Sequence, residues 1–251
     1  MTFQNRTWSA LISGTAAACL LFGVAAIVDK SAVARNGRRD RDRDQHRCNR
    51  EPCQSFEEIW MTLEQNATDG DTEVVLFAKT ETDGLQRLTI TAPDGRRVAQ
   101  FKGDEDGVGL REFHLESAEP PDLDAVLGSF PEGTYTMEGR TVNGDCVVGT
   151  AVLSHDIAPA TELLTPEEEQ VVPVDQLVLS WAAVASAERY VIELNNEDNG
   201  SEFTFQVFPP TTSLAIPAAL LQAGSEYQFG VGVKTDTGNI TFVETTFFTA
   251  P

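Results

Sequence analysis

Leu177-Val178-Leu179-Ser180-Trp181, followed nine residues after its tryptophan by Tyr190-Val191-Ile192-Glu193-Leu194, is the stretch that decides the fold. Each segment alternates, so that every second side chain can enter a core while its neighbours face away. Outward from this pair, more short runs follow: FTFQV at 203–207, SLAIP at 213–217, LLQAGSEYQFGV at 220–231 and ITFVETTFFT at 240–249. Turn-forming residues separate them. Short β-rich runs at this spacing indicate a β-sandwich.

The order and spacing over residues 166–251 resemble a fibronectin type III domain. In that resemblance Trp181 takes the place of the buried core tryptophan and Tyr190 that of the core aromatic on the third strand. Leu221 and Tyr227 match the leucine and the tyrosine of the tyrosine corner, whose hydroxyl is expected to bond backbone upstream. The region has no cysteine, which suits the family. It has no Arg-Gly-Asp tripeptide, so the integrin-adhesion role of some members is not implied. Twelve acidic residues stand there against Arg189 and Lys234.

Upstream, residues 56–160 read as a second run of strands. EIWMTLE at 58–64, TEVVLFAKT at 72–80, RLTIT at 87–91 and RVAQFK at 97–102 are β-rich. Asp-Gly pairs at 69–70, 83–84, 94–95 and 106–107 recur between them as turn signals. Residues 121–128 place proline early, acids in the first turn and glycine last, which predicts a short helix capping the sandwich core through Leu123, Val126 and Leu127. Asn143-Gly144 predicts a hairpin turn in which both residues tolerate positive φ. A returning strand follows from Cys146. The motifs NATDGD at 66–71, LTITAPDGR at 88–96, ESAEPP at 116–121 and SFPEGTYTMEGRTVNG at 129–144 resemble an immunoglobulin-like domain of secreted bacterial proteins of unknown function. The resemblance implies a fold and a secreted context and carries no site.

The N-terminus reads as a targeting segment. Residues 1–34 combine Arg6, an uncharged stretch over 10–28, and Ala32-Val33-Ala34 as a cleavage site. The uncharged stretch is also long enough to serve as a membrane anchor, the alternative reading. Residues 35–55 interleave seven Arg with three Asp and one Glu and read as a flexible charged linker. With +1 on residues 1–34 and +3 on 35–55, the chain's −21 leaves −25 on residues 56–251. Such a body repels phosphate, so nucleic acid and anionic membrane are excluded as partners beyond the N-terminal segment itself.

Export leaves Cys48, Cys53 and Cys146 as disulfide candidates. An odd count leaves one thiol over, and Cys53–Cys146 and Cys48–Cys53 are both open. Asp69, Asp71 and Glu73 surround a glycine turn with hard oxygen ligands and are a calcium candidate; no other cofactor is implied. Catalysis lacks a constellation. His46, His114 and His155 are scattered, and no nucleophile elbow, P-loop or zinc-protease motif occurs. A sugar-binding face would need exposed aromatics, for which Trp60, Tyr135 and Phe208 are the candidates.

The sequence therefore predicts an all-β chain: a signal segment (1–34), a linker (35–55), an immunoglobulin-like sandwich (56–160) and a fibronectin type III-like sandwich (166–251). The expected role is a secreted or periplasmic, non-catalytic interaction or spacer module contacting a protein or polysaccharide of the envelope. A carbohydrate-binding accessory protein and a secreted enzyme are the alternatives.

Overall fold

The computed structural model describes residues 53–104, 106–120 and 122–251. The signal segment, His46, Cys48 and most of the linker lie outside these residues. No described helix is long and apolar enough to cross a membrane.

The described residues are all-β apart from one short helix and one 3-10 turn. The first sandwich comprises β1 (Gln54–Ser55), β2 (Glu58–Asn66), β3 (Thr72–Lys79), β4 (Leu85–Thr91), β5 (Arg97–Lys102), β6 (Glu112–Glu116), α1 (Leu123–Ser129), β7 (Gly133–Thr141) and β8 (Cys146–Leu153). The second comprises β9 (Leu163–Thr165), β10 (Val171–Val172), β11 (Val178–Trp181), β12 (Arg189–Asn196), β13 (Glu202–Val207), β14 (Ser213–Ala215), the turn Ala218–Leu220, β15 (Glu226–Lys234) and β16 (Ile240–Thr249). The strands anticipated from alternation are present. Gln54 and Ser55, read as the end of the linker, instead form β1 along β8, while β9 and β10 are too short to leave a periodic signal.

Both sandwiches follow one plan. In the first, β2-β3-β6 faces β8-β7-β4-β5; in the second, β14-β11-β9 faces β13-β12-β15-β16. In each, a two-residue strand also runs parallel to the last one, β1 along β8 and β10 along β16. The shared strand order means that topology alone does not set an immunoglobulin-like first sandwich apart from a fibronectin type III-like second.

Each sandwich has its own core. Met61, Leu63, Leu76, Leu88, Ile90, Tyr135 and Met137 anchor the first. Leu179, Trp181, Tyr190, Ile192, Phe229 and Phe247 anchor the second. The helix α1 closes the first core with buried Val126 and packs Leu127 against it. Turn glycines behave unequally. Gly70, Gly95 and Gly144 take positive φ, but Asn143 does not, so the 143–144 turn uses glycine alone for its left-handed residue. Gly84 has no positive φ; a Cβ there would lie 2.3 Å from the Val108 carbonyl oxygen, so this glycine permits a close backbone crossing rather than a turn.

The sandwiches are not merely consecutive. β16 pairs in parallel with β2, matching Ile240 to Glu64, Thr241 to Gln65 and Phe242 to Asn66. The order β13-β12-β15-β16-β2-β3-β6 is thus one continuous sheet that crosses from the second sandwich into the first.

Candidate functional site

The residues singled out for the second sandwich lie in its core. Trp181 and Tyr190 are buried and meet edge to face, with ring centroids 5.4 Å apart. The Tyr190 hydroxyl accepts the Val184 N–H at 2.9 Å. The Tyr227 hydroxyl accepts the Gln222 N–H at 2.8 Å, the upstream backbone bond of a tyrosine corner. Leu221 is half-buried against this core. The first sandwich repeats the device: Tyr135, at the start of β7, donates to the Pro131 carbonyl at 3.0 Å. Burial pushes its phenol up to about 12. Cys53 and Cys146 form the disulfide, tying the start of the chain's described part to the first residue of β8.

The joint between the sandwiches is the polar centre of the molecule. Asn239, buried in the turn before β16, accepts the Leu63 N–H at 2.8 Å and donates to the carbonyls of Ser154 (2.9 Å) and Asp156 (2.8 Å). One side chain thus holds β2 and the exit of β8. Beyond it, the Ala67 N–H reaches the Phe242 carbonyl at 2.8 Å, the Glu244 N–H reaches the Thr68 hydroxyl at 2.9 Å, and Asn66 Nδ2 donates to Glu244 Oε2 at 2.8 Å. Ile240, Phe242 and Val75 are buried here yet belong to neither core. Gly232 makes room for two of them, since a Cβ on it would stand 2.6 Å from Ile240 Cδ1 and 2.8 Å from the Phe242 ring.

The face of the shared sheet that turns away from both cores is rich in carboxylates. Glu193 on β12, Glu244 on β16, Glu64 on β2 and Glu73 on β3 lie along it, since their strand neighbours Ile192, Leu63 and Val74 point into the cores. Burial raises Glu64 to about 7, against the pull of Lys234. Burial, with Glu119, Glu64 and Glu116 nearby, raises Glu73 to about 8. Glu193 rises to about 7 through burial and the neighbouring Glu244, and Glu244 to about 7 through burial, opposed by its bond from Asn66. Lys234 is lowered by burial and then by Arg189.

The remaining candidates do not converge on a reaction centre. Asp69 Oδ1 accepts the Asp71 N–H at 3.0 Å within its own turn, while Glu73 is buried further along on β3. Among the described residues no three His, Cys, Asp or Glu side chains are grouped to hold a metal ion. His114 Nδ1 lies 3.8 Å from Glu116, and its ring sits edge-on to Trp60 and Phe77. His155 Nε2 lies 2.8 Å from the Phe130 carbonyl oxygen. The aromatic candidates form no platform either. Trp60 stacks on Phe77 at 5.3 Å and has Lys234 Nζ 5.8 Å from its ring centroid, so neighbours occupy its faces. Tyr135 is buried. Phe208 is 61% exposed, and no other described Phe, Tyr or Trp is exposed. Trp60 instead helps join the sandwiches, because Lys234 reaches it from β15.

The sequence signal for this joint was the loss of alternation. VVLFA on β3, at 74–78, is apolar on both faces, and ITFV on β16 nearly so, the mark of strands covered on both sides.

No family model matches the sequence, and no curated protein does. Among solved structures the chain is similar to the FN1–FN3 domains of chicken CNTN1, at 10% identity over 78% of this chain and 65% of that one, with a TM-score of 0.33. It is similar to a two-domain fibronectin type III segment of chicken tenascin, at 12% identity over 76% of this chain and 97% of that one, TM-score 0.27. It is also similar to a 1.5-MDa bacterial ice-binding adhesin, at 13% identity over 80% of this chain and 66% of that one, TM-score 0.27. The chain spans about two thirds of the CNTN1 fragment and 29% of a biofilm-associated protein domain. The fold itself is defined by the strand order and the two cores described above.

Proposed function

We propose that this chain is an exported, non-catalytic interaction or spacer module in which an immunoglobulin-like and a fibronectin type III-like sandwich act as one coupled piece. The observation that carries this reading is the continuous sheet through β16 and β2. An enzyme places its catalytic groups together in a cleft, whereas here the buried polar groups bind the two sandwiches to each other. Joining the two sheet edges also removes exposed ladders that would otherwise pair with other chains. The disulfide supports an oxidising location such as the periplasm or the cell exterior.

The partner in this reading is a protein or polysaccharide of the envelope, reached through loops or through faces away from the joint. Co-sedimentation of the purified chain with extracted envelope material tests it. The expected result is retention on the material with no soluble product released. Release of sugars, peptides or acyl groups would contradict the non-catalytic reading.

A further inference from the structure

One pair of side chains at the joint is not needed for a passive spacer. Glu64 and Glu73 stand directly opposite each other across the β2–β3 ladder, 9% and 6% exposed. Glu64 Oε1 receives a long bond from the Thr62 hydroxyl at 3.4 Å. Glu73 Oε2 is buried with no hydrogen-bond partner. Two buried carboxylates on one rung of a ladder resist ionising together, because each charge loses water and repels the other.

The surroundings do not neutralise them. Glu116 on β6 and Glu119 just beyond it add negative charge on the side of β3. Lys234 on β15 faces Glu64, but it also engages Trp60 and Glu188 and is repelled by Arg189. Farther along the same face stand Glu193, Glu202 and Glu244, with Asp69 near Glu244 and Asp71 near Glu119. At such low exposure the pair is largely shielded from solvent. Glu64 is also the first of the three residues that pair with β16, so a change in its charge acts on the joint itself.

We propose that the Glu64–Glu73 pair is a proton-operated latch: protonated, it lets β2 lie closed against β16, and ionised, it loosens the joint while both cores stay folded. The proposal rests on the coupled-piece reading above. The direction follows from linkage. Both carboxyls are raised in the folded chain, to about 7 and about 8, above the 4.5 of an unburied glutamate. The folded state therefore holds protons that the open state releases, and closure weakens progressively as pH rises from about 4.5 through the folded values of about 7 and 8.

Amide exchange on the full chain at pH 5.5 and 8.5, expressed as protection factors, tests this. Peptides covering 61–67 and 239–244 are expected to lose about tenfold or more in protection at pH 8.5, while peptides of β7 and β12 hold theirs. In Glu64→Gln/Glu73→Gln most of the loss over 61–67 should disappear, leaving the smaller part carried by Glu193 and Glu244, and Glu73→Gln alone should reduce it. Equal protection of the joint at both pH values in the unmodified chain, or a loss over 61–67 that is undiminished in the double variant, overturns the latch. A joint unprotected at both pH values overturns the coupled-piece reading instead.

Discussion

The two sandwiches share a strand order and differ in how their last strand is held. In the first, β8 carries the two-residue β1 on its outer side, and the Cys53–Cys146 disulfide fixes that contact covalently. In the second, β16 carries the equivalent two-residue β10 at Val171 and Val172, and no cysteine is present. The first three residues of β16 are covered by β2, from the other sandwich. A short parallel strand is a weak fastener in both cases. One sandwich is reinforced by a covalent bond and the other by its neighbour, so the second depends on the first in a way that the order of domains along the chain does not reveal.

Three substitutions probe this asymmetry. Trp181→Ala, which empties the largest site in the second core, is expected to cost about 4 kcal/mol of unfolding free energy by denaturant titration. With the sheet shared, protection of β2 falls along with that of β11 and β12; a loss confined to the second sandwich would argue for independence. Cys146→Ser, which removes the clip on the first sandwich, is expected to cost about 3 kcal/mol by the same titration. Its effect should appear first at β1 and β8. Asn239→Ala leaves the Leu63 N–H and the Ser154 and Asp156 carbonyls without their partner and is expected to cost about 2 kcal/mol. It alone of the three should uncouple the sandwiches while leaving both cores intact. An Asn239→Ala chain that unfolds as cooperatively as the parent would move the origin of the coupling elsewhere along the sheet.

Much of the fold was legible because it is local. The β-rich runs read at 190–194 and 220–231 and the proline-to-glycine polarity of α1 are written in short windows of sequence, and the structure places β12, β15 and α1 there. The role of Tyr227 was implied by the resemblance of Leu221 and Tyr227 to the fibronectin type III pattern. Tyr135 makes the same kind of bond, but its acceptor is the Pro131 carbonyl in a turn that reads only as a turn, so it passed for a candidate surface aromatic. The disulfide partner could not be chosen from spacing, because Cys53 reaches Cys146 only once β1 lies along β8. The joint was hidden for a related reason. Glu64 pairs opposite Ile240 only after both sandwiches have folded, and a glutamate on an alternating strand reads as solvent-facing. Its burial comes from the neighbouring sandwich. Trp60 is a sugar candidate in the sequence only as an aromatic, and Phe77 and Lys234, the latter from the second sandwich, take up its faces.

Base should therefore act on the joint before it acts on either core. The carboxyls raised to about 7 or 8 lie on the shared face, including Glu193 and Glu244 on the second sandwich. The stability contributed by their protonated forms is fullest below about pH 4.5, where an unfolded glutamate also keeps its proton, and is lost as pH climbs through the folded values.

The most direct test of the coupling is the denaturant dependence of amide exchange in the unmodified chain at pH 6, followed at β7 in the first core and β12 in the second. If the shared sheet makes one piece of two sandwiches, the two sets of amides open with the same free energy and the same denaturant slope. Two separate openings, each with a slope fitting a single sandwich, would contradict the account.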